Sequence, residues 1–313
     1  MRAAALSLSL AGLAGPALGG CFVSPPPSQV PTAAAALDRL RATGQCGRGV
    51  QAAAKVDQFR KQGRVRLDLL MFASSPANLR MDVLGPPPLG GTLATLTSDG
   101  SRFALNDLHD RRFYVGPSSA CNIARFTTVE VPGYVFVDLL QGQAPVLKRV
   151  GEPTIAWSGR GYYVLRVRST RDANEEIHLV PRAEDFGKPW SEQRMRLLDV
   201  TVEQRGQVLY HAELGDHRAA TTAPPRVDPD GIDPPLPPSG PACDAEIPRK
   251  IHVEVPGEAD VLFRYDDVHW NPPIPAGTFE QRPSDALPTV PVSCGDDAEA
   301  AKPGEPAGAL KTD

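Results

Sequence analysis

The chain has no excess of positive charge: 33 Lys and Arg stand against 37 Asp and Glu, for a formal net charge of -4. A nucleic-acid binder must offset dense phosphate charge, so this balance points away from that partner class. No CxxC occurs, which disfavours a thiol redox motif or a zinc ribbon. HExxH is missing too, and the six histidines, at positions 109, 178, 211, 217, 252 and 269, show no ligand spacing. GxSxG is absent, and Gly159-Arg160-Gly161 precedes a strand pattern with no helix after it, so it reads as a hairpin turn and not a dinucleotide loop. The chain is therefore expected to be no enzyme and to carry no metal and no cofactor. Asp228-Pro229-Asp230-Gly231 opens like a calcium loop, but prolines interrupt it and no glutamate closes it, so it reads as acidic linker. Asp266 and Asp267 are neighbours on a strand pattern and point to opposite faces, which makes a strand end of them and not a catalytic carboxylate pair.

What is present begins with residues 1–20, one cation followed by a small and apolar run, the pattern of an export signal. Leu18-Gly19-Gly20-Cys21 then matches the lipobox of bacterial lipoproteins. That match implies cleavage before Cys21 and acylation of its thiol. Each buried methylene of an acyl chain contributes about 0.8 kcal/mol, so several chains anchor a protein where one does not. Phe22 follows the cysteine in place of the aspartate that retains lipoproteins at the inner membrane, which favours the outer membrane and a periplasmic orientation.

Four cysteines remain beyond Cys21, an even number in an oxidising compartment, and two disulfides are the natural reading. Three connectivities are possible. Cys46–Cys121 with Cys243–Cys294 is favoured because each pair then staples the ends of one coherent segment.

Residues 22–31 form a proline-rich tether, too polar and stiff to pack. Thr32 caps an alanine-rich helix that ends at Gly44. From Val50 the period becomes two: Val65, Leu67, Leu69 and Met71 share one face, as do Leu79, Met81 and Val83, then Phe103 and Leu105. A short helix is expected over residues 132–140. The rhythm resumes with Tyr163, Leu165 and Val167, passes a turn at Arg205-Gly206, and ends with Val261, Phe263 and Tyr265 and an edge segment at residues 279–283. Residues 217–242 are rich in proline and poor in apolar side chains, and read as a mobile insertion; residues 295–313 read as a disordered tail. The domain is thus expected over residues 32–294.

About a dozen strands against two helices argue for a mainly β (α+β) fold: one large curved antiparallel sheet, a half-open barrel with the helices plugging its concave side. Residue by residue, the inward sets read as core. Taken together they are candidates for an apolar cavity suited to an acyl chain.

In this order the motifs resemble the LolA/LolB lipoprotein-sorting family, and within it the LolB-type receptors. The resemblance rests on the lipobox, the N-terminal helix, the paired strands GRVRLDLLMFA and ANLRMDVL, the loop GPPPLG leading into TLATLTSDGSRFALND, the helix end VDLLQG, and IPRKIHVEV followed by ADVLFRYDDVHWN. It covers residues 32–214 and 248–271. It implies a half-closed barrel and a non-catalytic activity, accepting lipoprotein acyl chains from a periplasmic LolA-like carrier and passing them to the outer membrane. It also implies that Leu89, at the tip of that loop, inserts into membrane; a Leu89 packed under the sheet rim is the competing reading. The insertion, the disulfides and the tail depart from the family pattern. A periplasmic interaction or stress-sensor module without transfer activity therefore stays open beside the carrier.

Overall fold

The computed structural model describes residues 22–61, 63–86, 90–227, 229–231, 235–283 and 286–294, and in it the period-two segments become one continuous sheet. Helix α1 (Ala33–Gly44) comes first, followed by β1 (Gly49–Arg60), β2 (Gly63–Ser74), β3 (Asn78–Leu84), β4 (Thr92–Asp99), β5 (Arg102–Asp107) and β6 (Arg112–Pro117). Helices α2 (Ala120–Thr127) and α3 (Gly133–Leu140) separate these from β7 (Thr154–Ser158), β8 (Tyr162–Arg168), β9 (Ala173–Pro181), β10 (Met195–Gln204) and β11 (Gln207–Ala219). Strands β12 (Glu246–Val255), β13 (Ala259–Trp270) and β14 (Thr289–Pro291) complete the chain order.

The 14 strands lie in the order β14-β6-β5-β4-β3-β2-β1-β13-β12-β11-β10-β9-β8-β7. Neighbours are joined mostly by hairpins; of the two long-range steps, one sets β14 on the edge strand β6, and the other places β13 beside β1, so the two halves of the chain meet in mid-sheet. The end strands β14 and β7 do not pair with each other, so the sheet is open. Every pairing is antiparallel except β14 on β6, which makes the sheet mixed at one edge. Both expected turns are present: Gly161 (φ +99°) closes β7–β8, and Arg205 and Gly206 (φ +53° and +78°) close β10–β11, a left-handed pair that matches the twist of a two-residue hairpin.

Thr32 caps α1, its hydroxyl accepting the Ala35 N–H at 3.1 Å, and Ala33, Ala36, Leu37 and Leu40 are the buried stripe. Helix α3 buries Val135, Phe136, Val137, Leu139 and Leu140 and ends at Gly142, whose φ of +76° suits glycine. A Cβ there would lie 2.5 Å from Pro248 Cδ, so no larger residue fits. The third helix, α2, was not expected. Its buried residues Asn122, Ile123 and Thr127 make no apolar stripe, and it is held by tertiary contacts, among them Asn122 Nδ2 donating to the Pro117 carbonyl at 2.9 Å.

Several expectations need correction. The disulfides are Cys46–Cys243 and Cys121–Cys294, with Cα separations of 6.1 and 6.4 Å, in place of Cys46–Cys121 and Cys243–Cys294. The cause is topology. Val292 donates to the Val115 carbonyl at 2.7 Å and carries Cys294 beside α2, while Asn271 holds both the Cys46 and Pro241 carbonyls and gathers the other pair at the end of β13. The edge strand is Thr289–Pro291 and not residues 279–283, where Gln281 instead donates from its side chain to the Thr95 and Ala104 carbonyls. The tether packs: the Trp157 indole N–H donates to the Val23 carbonyl at 2.9 Å, and Val30 is buried with its N–H on the Tyr163 hydroxyl. Within residues 217–242, β11 continues to Ala219, and beyond it Thr221 and Gly240 hydrogen-bond to the end of β13. Asp266 and Asp267 lie inside β13 at a bulge opposite Ala53 and Ala54, both exposed, with Asp266 paired to Lys55 at 2.6 Å. Among the described residues no helix is long and apolar enough to cross a membrane.

Candidate functional site

The concave face is built by register. Leu165, Ile177, Val200, Ala212, Val253 and Val261 stand side by side across β8, β9, β10, β11, β12 and β13. All six are fully buried. On the other half Leu105, Leu96, Met81, Met71 and Ala52 continue the same surface from β5 to β1. Such rows arise because alternate residues of every strand face one way, so a period-two pattern in each strand adds up to one apolar sheet surface.

The expected lining residues fall on this face. Leu69, Met71, Leu79, Met81, Val83, Phe103, Leu105, Tyr163, Leu165, Val167, Val261 and Phe263 are all buried, and Leu67 packs partly buried against them. Val65 has the right parity but is 39% exposed, because the start of β2 extends past the helices that cover the rest. The face has more members than sequence reasoning singled out: Ile177, Val200 and Ala212 belong to it equally. The period-two test applied to β9, β10 and β11 was the signal for them. Leu89 and Cys21 lie outside the described residues.

Helices α1 and α3 cover most of the face, and α2 adds Ile123 to the same core. Phe136 of α3 meets Phe263 of β13 edge-on at 5.7 Å between ring centres, and the Tyr265 hydroxyl donates to the Leu140 carbonyl at 2.8 Å. Helix α1 lies toward β10, tied by Arg39 Nε donating to the Gln193 carbonyl at 3.0 Å. The inner face is therefore packed under α1 and α3.

A polar pocket of about 430 Å³, counting its open mouth, lies at one end of this face where the C-terminal ends of α1 and α3 meet β10 to β13. None of the expected lining residues touches it. Its walls include Arg182, Arg196, His217 and Glu246, with Arg196 Nη2 donating to Glu246 at 2.7 Å and Arg182 Nε 3.2 Å from the same carboxylate. Burial, aided by Arg196, lowers the His217 pKa to about 4, so its ring is neutral. On the outer hairpin of β12 and β13, His252, Glu254 and Asp260 come within ligand spacing, and His252 Nε2 is already 2.7 Å from Asp260.

No family model matches the chain, and the search of curated proteins found no match. Solved structures with a related arrangement include a LolA superfamily protein from Nitrosomonas europaea, at 11% identity and a TM-score of 0.44 over 80% of this chain and 99% of that one. A DUF1329 family protein from Desulfovibrio piger gives 11% identity and 0.45 over 80% and 98%. A domain described as an outer membrane lipoprotein-sorting protein from Vibrio parahaemolyticus gives 10% and 0.42 over 78% and 95%. At such identities and scores the likeness carries no argument about function, which is built below from this chain's own geometry.

Proposed function

We propose that this protein is a lipoprotein of the bacterial envelope that binds acyl chains on the concave face of its sheet and takes part in lipoprotein or lipid transfer to the outer membrane. The observation that carries the reading is the broad apolar inner face of an open sheet, covered by short helices, chiefly α1 and α3, and not by a second sheet. A guest chain needs α3, of 8 residues, to shift rather than a whole layer to unfold. Each Å² of apolar surface that the chain and the face remove from water contributes about 25 cal/mol, with little polar readout, so binding is strong in aggregate and broad in chain type. No proton or covalent chemistry is required, and no enzymatic role is proposed.

Delivery is assigned to the anchored end of the molecule. Acylated Cys21 holds the chain at the bilayer, and Leu89, between prolines and glycines, presents an apolar tip to it. The packed inner face favours the second reading, an interaction or sensor module without transfer, as the competitor to be tested. The experiment uses unlipidated protein with Cys21→Ala and a fluorescent fatty acyl probe. One-to-one saturable binding supports the carrier reading, and absence of binding leaves the interaction module. With the lipidated protein, Leu89→Glu keeps probe binding but loses transfer of the probe to liposomes. Transfer that survives this change unaltered removes the assigned role of Leu89.

A further inference from the structure

The apolar inner face carries a few buried polar residues, Gln58 and Ser98 among them, and a further polar group lies across β9 to β11. Glu175 of β9 and Tyr210 of β11 both pair laterally with Val202 of β10, so they flank it in the same row, with Val167 on the far side of Glu175. They are only 1% and 5% exposed. Glu175 Oε2 accepts the Leu147 N–H at 2.9 Å, but Glu175 Oε1 and the Tyr210 hydroxyl have no hydrogen-bond partner among the described residues. Groups buried in this state cost free energy unless something else satisfies them.

Helix α3 brings two more polar groups, Tyr134 and Asp138, one helical turn apart. Tyr134 is exposed and Asp138 half-buried, so polarity runs from solvent at the helix down to the sheet. Both tyrosines lie within electrostatic reach of both carboxyls. Among the described residues no cation acts on either carboxyl, from α3, from the Leu147 segment, or from the strands beside Glu175. Burial raises both carboxyl pKa values to about 7, the Leu147 N–H partly opposing this at Glu175. Glu175 and Asp138 are thus two acids, one buried and one half-buried, without a counter-ion among the described residues. Once both have lost their protons, an anionic guest would add a third negative charge, and a neutral guest would leave both charges uncompensated. A cation satisfies them.

We propose that Glu175 and Asp138, with Tyr210 and Tyr134, form a site for the ammonium head of a cationic amphiphile, a single-chain amine whose tail lies along the apolar row. The site rests on the acyl-chain reading of the same face and adds a charge preference to it.

The test is calorimetric titration of the full chain with dodecylamine, dodecanol and dodecanoate. At about pH 8 the amine binds at least about tenfold more tightly than the alcohol, and the preference shrinks toward about pH 6 as the acids take up protons. The double variant Glu175→Gln and Asp138→Asn binds dodecanol as before and loses the preference for the amine. Equal affinity for amine and alcohol at about pH 8, or a preference that survives in the double variant, overturns the site while leaving acyl binding intact. If none of the three ligands binds, the acyl-chain reading falls and the site with it.

Discussion

A carboxyl group on the floor of an apolar sheet is tolerated while it keeps its proton. Burial raises the Glu175 pKa from an ordinary 4.5 to about 7, so between those values the folded state binds more protons than the unfolded chain. Stability then falls as pH rises through that window, and the loss is complete above it. A shift of this size corresponds to on the order of 3 kcal/mol. Glu175→Gln is therefore expected to melt above the parent protein at about pH 8 and close to it at about pH 4, as read by circular dichroism. Parallel melting curves at both values would contradict this. Other groups add their own slopes, which is why the comparison is between variant and parent. Burial lowers the His178 pKa, but Asp199 and Glu176 outweigh it, so its net raised value gives stability that is lost as pH rises. His217, lowered to about 4, loses stability as pH falls from the ordinary histidine range. Arg194 holds Asp185 well below the usual range, and that contribution is lost only in strong acid.

Residue facing was legible from alternation alone, and Leu69, Met81 and Leu165 are buried as their parity requires. Val65 is exposed because alternation reports which face a residue takes and not whether anything covers it. Glu175 was invisible for a related reason: in EEIHLV its inward place is given by parity, but only the packed structure shows that no cation answers it.

At the level of elements, helices with their own punctuation were legible. Thr32 caps α1 through its side chain, Gly44 is the last residue of that helix, and the left-handed Gly142 ends α3. Helix α2 and strand β14 were not, since Asn122 and Val292 owe their places to partners far along the chain. The disulfides share that dependence, with sequence separations of 197 and 173. Peptide mapping without reduction is expected to recover Cys46 with Cys243 and Cys121 with Cys294, and a peptide joining Cys46 to Cys121 would refute the pairing. Helix α3 is held chiefly by its apolar side. Phe136, fully buried against Phe263, is its main anchor, and Phe136→Ala should cost about 3–5 kcal/mol in a denaturant titration. A change below about 1 kcal/mol would mean that α3 is not packed as described.

For the whole molecule, the open curved sheet follows from the number of strands and the tight hairpins between them. The mid-sheet joint of β1 and β13 does not, because nothing local in either strand specifies the other. That joint merges two meanders into one apolar surface, with α1 toward β10 and α3 straddling the joint against β2, β3 and β13. In the proposed function this surface, and not the convex side or the polar pocket, receives acyl chains. The most direct test is photolabelling with a fatty acid that carries a photoreactive group near the chain end, followed by peptide sequencing. Labels on α3 and on inward positions such as Met71, Leu165 and Phe263, competed away by unlabelled fatty acid, are the predicted result. Labels confined to outward-facing positions, or labelling that excess fatty acid does not reduce, would contradict it.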